Sequence, residues 1–487
     1  MALPKETFQK PGDYILEGPM LVGGSGKMFN FDMLVLELNI YQDIDTPYMS
    51  GSILISEASG LFETMPILGQ ERLLFKLRTP GSNNSIDFSV YHAMVYNVGA
   101  RTPSGNRQQT YVLNFTTLEA FKNTRTKISK SFKGNISQMI AEIMSDDTML
   151  GTPKKINIDP TQAIRKYIAP TVRPFQVIQY LKEEAINENG EPHYVFYENP
   201  DGFHFRSLDS LLGELRELST EAVQEFKLQP PQGTQAFADT MQSIQEIKIT
   251  DATDSYSNGR AGMFNSTLYQ HDILNKNVSK YVFDYETAFK SQNATNQDTN
   301  GFGPLVSDIK VDGKKKIWEF PDSRIFLHPS ASSNLHNEGT STAPEYDYSH
   351  NNAELWMQES ISRELEREYF TVKIAVFGDT DVKVGDIINL VIPSNKPLAA
   401  EQGSDALDPI LSGRYLITSL HHKVNVQDGN HAMFITAMKD SLVYQIATQK
   451  INIPDPPKKP VVKALSRKKR RKRLKTRSVS AIVGVRG

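Results

Sequence analysis

The side chains whose type and spacing could do chemistry are few, and each candidate fails on geometry. Gly23-Gly24-Ser25-Gly26-Lys27 has the composition of a phosphate-binding loop, but the first glycine of that loop would fall at Leu21, and Met28 stands where Ser or Thr is required. A turn leading into the first strand is the expected role. His421-His422 sit where a strand-like run ends, and adjacent strand side chains point to opposite faces, so the two cannot close on one metal ion. None of the ten histidines shows HExxH or HxH spacing. The acidic pairs Asp379 with Asp381, Glu183 with Glu184 and Asp251 with Asp254 have the spacing of loop and helix surfaces, which singles out no general acid or base. No GxSxG elbow is present. The absence of cysteine excludes disulfides, thiolate zinc sites, iron–sulfur clusters and cysteine nucleophiles together. The expectation is a chain without catalytic, cofactor or metal residues, and not an enzyme.

The strongest local signal is basic: Arg467, Lys468, Lys469, Arg470, Arg471, Lys472 and Arg473 run without interruption. Thirteen of the 54 Lys and Arg fall in residues 458–487, which hold no Asp or Glu, so 41 basic side chains face 56 acidic ones in the rest. An acidic body thus carries a basic tail. The run suits a contact with nucleic acid, a tether to an acidic protein, a nuclear localisation signal or a solvated tail. Before it, Pro454, Pro456, Pro457 and Pro460 keep the chain extended, and after it Ser478 to Arg486 have a composition able to add a strand to a partner.

The elements that must position any site begin with two stretches that read as diverged copies of one β-unit. Gly69-Gln70-Glu71 leads into an apolar strand, followed by Tyr91–Tyr96, a turn at 103–106 and Tyr111–Glu119. Gly385-Asp386 leads into another, followed by Tyr415–Leu420, a turn at 427–430 and Ala432–Asp440. Two unrelated three-stranded meanders would share this coarse order, so spacing alone leaves the duplication open. Residues 28–56 alternate, with a change of phase between Val35 and Leu36 that predicts a bulge. From 120 the period becomes helical. Ile136, Met139, Ile140, Ile143 and Met144 form one stripe, and a helix from Pro174 buries Phe175, Ile178 and Leu181 and ends at Asn189-Gly190. A hairpin Tyr194–Tyr197 and Phe203–Arg206 follows.

The fold expected is a β-rich α+β chain with two similar small antiparallel β-barrels, an intervening α+β domain and a loop-rich insertion. Its divisions are 1–119 for the first barrel and 120–235 for the α+β domain; 236–250 and 370–445 form the second barrel. The insertion and its helix occupy 251–369, with strand-like runs at 280–285 and 316–320, and the basic tail occupies 446–487. The 487 residues are a length for about three or four domains. No apolar run approaches the ~18 residues of a membrane span, and Met1–Glu6 lack the apolar core of a secretory signal, so synthesis in a cytoplasm without export is expected.

This order of parts resembles the central hub protein of contractile phage tail baseplates and the hub half of type VI secretion spike proteins. The likeness is carried by Met49–Ile55 with Pro66–Glu71, by Phe132–Ile136, by Gly413–Val424, and by the helix Glu364–Tyr369 running straight into a strand ending at Phe377-Gly378. It spans roughly residues 28–445 by order of elements and short motifs. The resemblance implies a homotrimer whose two barrels per chain make a pseudo-sixfold ring between the tail tube and the spike, with baseplate wedge proteins around it. It implies a place in the virion tail after assembly in a bacterial cytoplasm, and passage of the genome through the ring. The basic tail departs from that pattern. A cell-wall-degrading tail protein, a nucleic-acid-binding protein acting through its tail and a receptor-binding fibre protein are the rivals. The first would need a catalytic module after residue 445, the second is opposed by the acidic body, and the third would show repeats.

Overall fold

The computed structural model describes residues 10–442, apart from 25, 59, 61–66, 105–107, 163, 218–222, 229–239, 251–253, 274–275, 297–302, 305–309, 311–314, 317–318, 331–352 and 395–406. The basic run 467–473 and the whole tail after 442 lie outside the described residues. None of the described helices is long and apolar enough to cross a membrane.

The first unit comprises β1 (Ile15–Val22), β2 (Met28–Asn30), β3 (Val35–Asp43), β4 (Ser50–Glu57), β5 (Arg72–Arg78), β6 (Ser85–Asp87), β7 (Ala93–Ser104) and β8 (Gln108–Thr117). Strict alternation drives it: in β4, Gly51, Ile53, Ile55 and Glu57 are buried and the residues between them are not. The strands lie in the order β3-β4-β8-β7-β5-β1-β2, rolled around Leu38, Ile40, Ile53, Phe75 and Phe115. The expected change of phase is a register shift between Val35 and Glu37. The Gly23–Lys27 segment is a tight turn, with the Gly26 N–H donating to Gly23 O and the Gly23 N–H to Lys27 O.

The α+β domain follows with α1 (Leu118–Arg125), β9 (Ser131–Gly134), α2 (Ile136–Ser145), β10 (Ile156–Ile158), β11 (Arg165–Ile168), α3 (Pro174–Glu183), β12 (Tyr194–Asn199), β13 (Gly202–Ser207) and α4 (Leu208–Glu217). The whole predicted stripe of α2 is buried. Helix α3 starts at Pro174 as expected but stops at Glu183, well short of Asn189. The chain there enters a turn, because the Ile186 carbonyl accepts from Gln162 N and Asn187 exchanges backbone bonds with Gly190 and Glu191.

The second unit uses β14 (Gln224–Lys227) and β15 (Glu246–Ile249), then continues after the insertion. The insertion holds α5 (Ser255–Ala261), β16 (Asn265–Asp272), β17 (Asn277–Asp284), α6 (Tyr285–Ser291), β18 (Gly303–Pro304), β19 (Ile325–Ser330) and α7 (Ala353–Tyr369). Its described residues form a β17-β16-β19 sheet packed on α7 through Leu268, Phe326 and Trp356. Of the strand expected at 316–320, residues 317 and 318 lie outside the described residues; Lys316 forms a bridge with Lys310, and Pro321 opens a 3-10 turn. Helix α7 ends one residue before β20 (Thr371–Phe377), and β21 (Ile387–Val391), β22 (Gly413–Asn425), β23 (Asn430–Met438) and β24 (Ser441–Leu442) complete the described elements. These strands lie in the order β15-β20-β23-β22-β21-β14. A bridge between Lys227 and Ser243, with Ile244 N donating to Lys227 O, joins β14 back towards β15 and closes the barrel. Strand β14 falls within the residues read from sequence as α+β, yet its Phe226 packs in the barrel core with Val372, Leu390 and Ile435.

Candidate functional site at the junction of two equivalent barrels

The two barrels are built alike. The series β3-β4-β8-β7-β5 and β15-β20-β23-β22-β21 follow the same spatial order with the same order along the chain. Every neighbouring pair in both is antiparallel. The sixth strand differs: β1 runs antiparallel to β5, and β14 runs parallel to β21.

Details repeat too. Strand β7 bulges against β8 between Val95 and Asn97, and β22 bulges against β23 between Ile417 and Ser419. An acidic residue before β5 and β21 bonds to the residue that opens each bulge: Val95 N donates to Glu71 O and Ile417 N to Asp386 O, both at 2.9 Å. The preceding Gly69 and Gly385 have φ of 79° and 93°, the left-handed region that favours glycine. The Glu71 carboxylate, 3% exposed, accepts from the N–H groups of Leu68, Gly69 and Gln70. That of Asp386 accepts from Lys383 N, and burial pushes its pKa up to about 6 against this bond and the nearby ammonium. Following the ladders outward makes Glu37-Leu38-Asn39-Ile40 the counterpart of Glu246-Ile247-Lys248-Ile249.

The barrels join edge to edge. Strand β3 pairs with the outer half of β22 over seven residues, from Ser419 opposite Asp43 to Asn425 opposite Glu37. Lys423 Nζ meets Glu37 Oε2 at 3.1 Å across this seam, and His421 Nε2 lies 2.9 Å from Asn39 Oδ1. The His421 ring stacks between Tyr41 and Phe434 at 4.5 and 5.4 Å. A second contact locks the loops: Thr79 N donates to Thr380 Oγ1 and Thr380 N to Thr79 Oγ1, while Asp381 Oδ1 accepts from Ser82 and Asn84.

The histidine pair lies in the middle of β22, not at its end, because the strand continues to Asn425 to reach β3. The two rings point to opposite faces, as the pleat requires. His422 is fully buried, with Nδ1 3.1 Å from Nε2 of the equally buried His431, and burial lowers both pKa values, that of His431 to about 3. Gly378 makes room, since a Cβ there would lie 2.0 Å from the His431 ring. Among the described residues no three His, Asp or Glu gather to hold a metal. Of the acidic residues, Asp379 accepts from Gln224 and from Asp381 N, and Asp254 caps α5 by accepting from Tyr256 N and Ser257 N, while Asp251 lies outside the described residues.

Long-range ionic clamps were invisible in the sequence. Lys154 bridges Glu119 and Glu198 at 2.7 and 2.6 Å, with the carboxylates 1% and 2% exposed. Glu198 also accepts from Met49 N and Thr117 Oγ1, which ties the α+β domain to the first barrel. Burial opposes the Lys154 charge, but the two carboxylates outweigh it and raise its pKa. Arg367 grips Asp45 bidentately at 2.9 and 2.8 Å, fixing α7 to the turn after β3. Within α7 itself, a local pair adds to these: Arg363 joins Glu366 three residues on at 3.1 Å, and burial raises Glu366 to about 7 despite that cation.

Neither a family model nor a curated protein sequence matches the chain. Solved structures do. A tail protein from Neisseria meningitidis MC58 is 12% identical with a TM-score of 0.49, over 88% of this chain and 97% of that one. The 43 kDa tail protein of prophage MuSo2 from Shewanella oneidensis is 11% identical with a TM-score of 0.46, over 87% and 98%. The E. coli c3393 protein, a type VI secretion component described as similar to the T4 tail proteins gp27 and gp5, is 10% identical with a TM-score of 0.40, over 89% and 78%.

Proposed function

We propose that this protein is the structural hub of a phage tail baseplate, in which three copies form a ring that joins the tail tube to the central spike and lets the genome pass. One observation carries the reading. The chain contains two barrels of the same strand order, each with the same bulge and acidic turn, set side by side in one continuous sheet. Three chains of two equivalent units supply six near-identical stations, which is what a threefold object needs in order to seat a sixfold one.

In this reading the sequence divisions given above are the working domains, except that β14 (Gln224–Lys227) counts with the second barrel, and the barrels line the channel. The α+β domain and insertion face the surrounding wedge proteins, and the basic run 467–473 contacts an acidic partner or DNA. The chain acts in the virion tail and has no catalysis of its own. The competing reading, a cell-wall-degrading tail protein, predicts muralytic activity from the purified chain. Light scattering and negative-stain imaging, alone and with tube and spike proteins, test the proposal. A threefold particle with a central hole supports it, and a monomer under every condition removes it.

A further inference from the structure

The insertion is stitched to the rest of the chain at a buried junction. The Asn293 N–H donates to Asp209 Oδ1 of α4 at 2.7 Å, and the Asn293 side chain reaches the Asp209 carbonyl. Arg363 of α7 donates to the Asn293 carbonyl at 3.2 Å. Two residues on, Thr295 N and Oγ1 both donate to Asp440 Oδ1, between β23 and β24, and the Asn296 side chain exchanges bonds with the Arg414 backbone of β22. Gly213 of α4 leaves room for the segment, since a Cβ there would lie 2.8 Å from Asn293 Nδ2.

Charge at this junction does not balance. Glu191, Asp209, Glu359, Glu366 and Asp440 gather about the Arg363 guanidinium. Asp209, Arg363, Glu366 and Asp440 are each at most 5% exposed. The neighbouring cations are committed elsewhere: Arg367 donates to Asp45 and Glu364, and Lys439 to the carbonyls of Ile410 and Ser412. His193 is kept uncharged by burial and by the cations Arg367, Lys182 and Arg363. Tyr285 donates to Glu366 and Gln292 to Glu359. Glu191 lies against the Asp209 carboxyl, and its buried Oε2 meets no donor. Two carboxyls so placed can bond to each other only while one keeps its proton.

We propose that this junction is a proton-held clasp, closed while Glu191 and Asp209 share a proton and loosened when they lose it, so that the insertion comes away from α4 and β24 as pH rises. Burial, and then the Asp209 carboxyl, raises the Glu191 pKa to about 8, and burial raises that of Glu366 to about 7. Both lie above the value of about 4.3 that a glutamate takes once the junction opens to water. A carboxyl raised in this way favours the closed form fully below the open-state value, and the preference is lost as pH rises through the closed-state one. Lys439, lowered by burial to about 7, sheds its charge in the same window and leaves Asp440 with less support. A group whose pKa falls from about 8 to about 4.3 on opening shifts the opening equilibrium by up to about tenfold per pH unit between those values, or roughly a hundredfold from pH 6 to pH 8. One chain suffices for this, with no ring.

Hydrogen exchange on the full chain, read by mass spectrometry and corrected for the intrinsic pH dependence of exchange, gives the opening equilibrium segment by segment. In the wild type, opening of α6 and β16 should rise about tenfold or more from pH 6 to pH 8, while β4 and β8 of the first barrel change less than about threefold. Glu191→Gln is neutral at every pH and should remove most of that rise. Glu359→Gln, which keeps an oxygen to accept from Gln292, should reduce it. Equal protection of α6 at pH 6 and pH 8 overturns the clasp. So does a rise that both variants keep in full, which puts the titrating group elsewhere, and so does a rise shared by β4 and β8, which is loosening of the whole chain.

Discussion

Lys154 is the cation on which two buried carboxylates depend, and Lys154→Met shows what that dependence is worth. The substitution keeps the aliphatic stem and removes the ammonium, leaving Glu119 and Glu198 at 1% and 2% exposure without their shared partner. Breaking a buried pair by removing one partner costs roughly 3–5 kcal/mol. Two carboxylates are stranded here, which argues for the upper end. Against that, Glu198 keeps its bonds from Met49 N and Thr117 Oγ1, and Glu119 keeps its bond from Thr152 Oγ1. About 3–4 kcal/mol is the expected loss at pH 7. The pH dependence identifies the cause. Burial already pushes the Glu198 pKa up, with Glu119 adding to it and Lys154 pulling it down. With the cation gone the folded-state pKa of Glu198 rises further above the unfolded one. Stability of the variant is then best below about 4.3, the usual glutamate value, and falls as pH rises through the raised Glu198 value. Urea unfolding of wild type and variant at pH 5 and pH 7 measures this. The deficit should shrink at pH 5, and Glu119→Gln with Glu198→Gln in the Lys154→Met background should recover most of it. A deficit below about 1 kcal/mol, equal at both pH values, would refute the reasoning.

Three further outcomes are expected. Glu71→Ala frees three backbone N–H groups and should cost about 3 kcal/mol, whereas Asp386→Ala frees the single Lys383 N–H and should cost about 1 by urea unfolding, so the equivalent turns are unequal in strength. Gly385→Ala should fail to fold normally, judged by circular dichroism and solubility, because φ is 93° and the new Cβ would lie 2.3 Å from the Tyr197 hydroxyl. Burial lowers the His204 pKa to about 4, so its contribution is complete above about 6.5 and lost as pH falls towards 4; His204→Gln should flatten the stability profile in that window.

What local pattern controls was legible in the sequence. The stripe of α2, the alternation of β4, the bulge at Val35 and the hairpin after α3 each follow from residues that touch near neighbours. The end of α3 was not, because Ile186 and Asn187 leave the helix to bond to Gln162 and Glu191. Nor was β14, a four-residue strand held by β21 from more than 160 positions away. The match of Glu37-Leu38-Asn39-Ile40 with Glu246-Ile247-Lys248-Ile249 is visible once pointed out, but four residues are too few to stand out without the ladders that align them. The Lys154 clamp left no local trace, since Glu119 and Glu198 lie 35 and 44 positions away. The basic run, the strongest signal in the sequence, lies outside the described residues.

The central claim is that two equivalent barrels per chain build a ring of three. An electron cryomicroscopy reconstruction of the purified protein with its tube and spike partners, refined without imposed symmetry, tests it most directly. The account predicts six similar barrel densities around one channel. A monomer, or a particle whose barrels do not face a common channel, would contradict it.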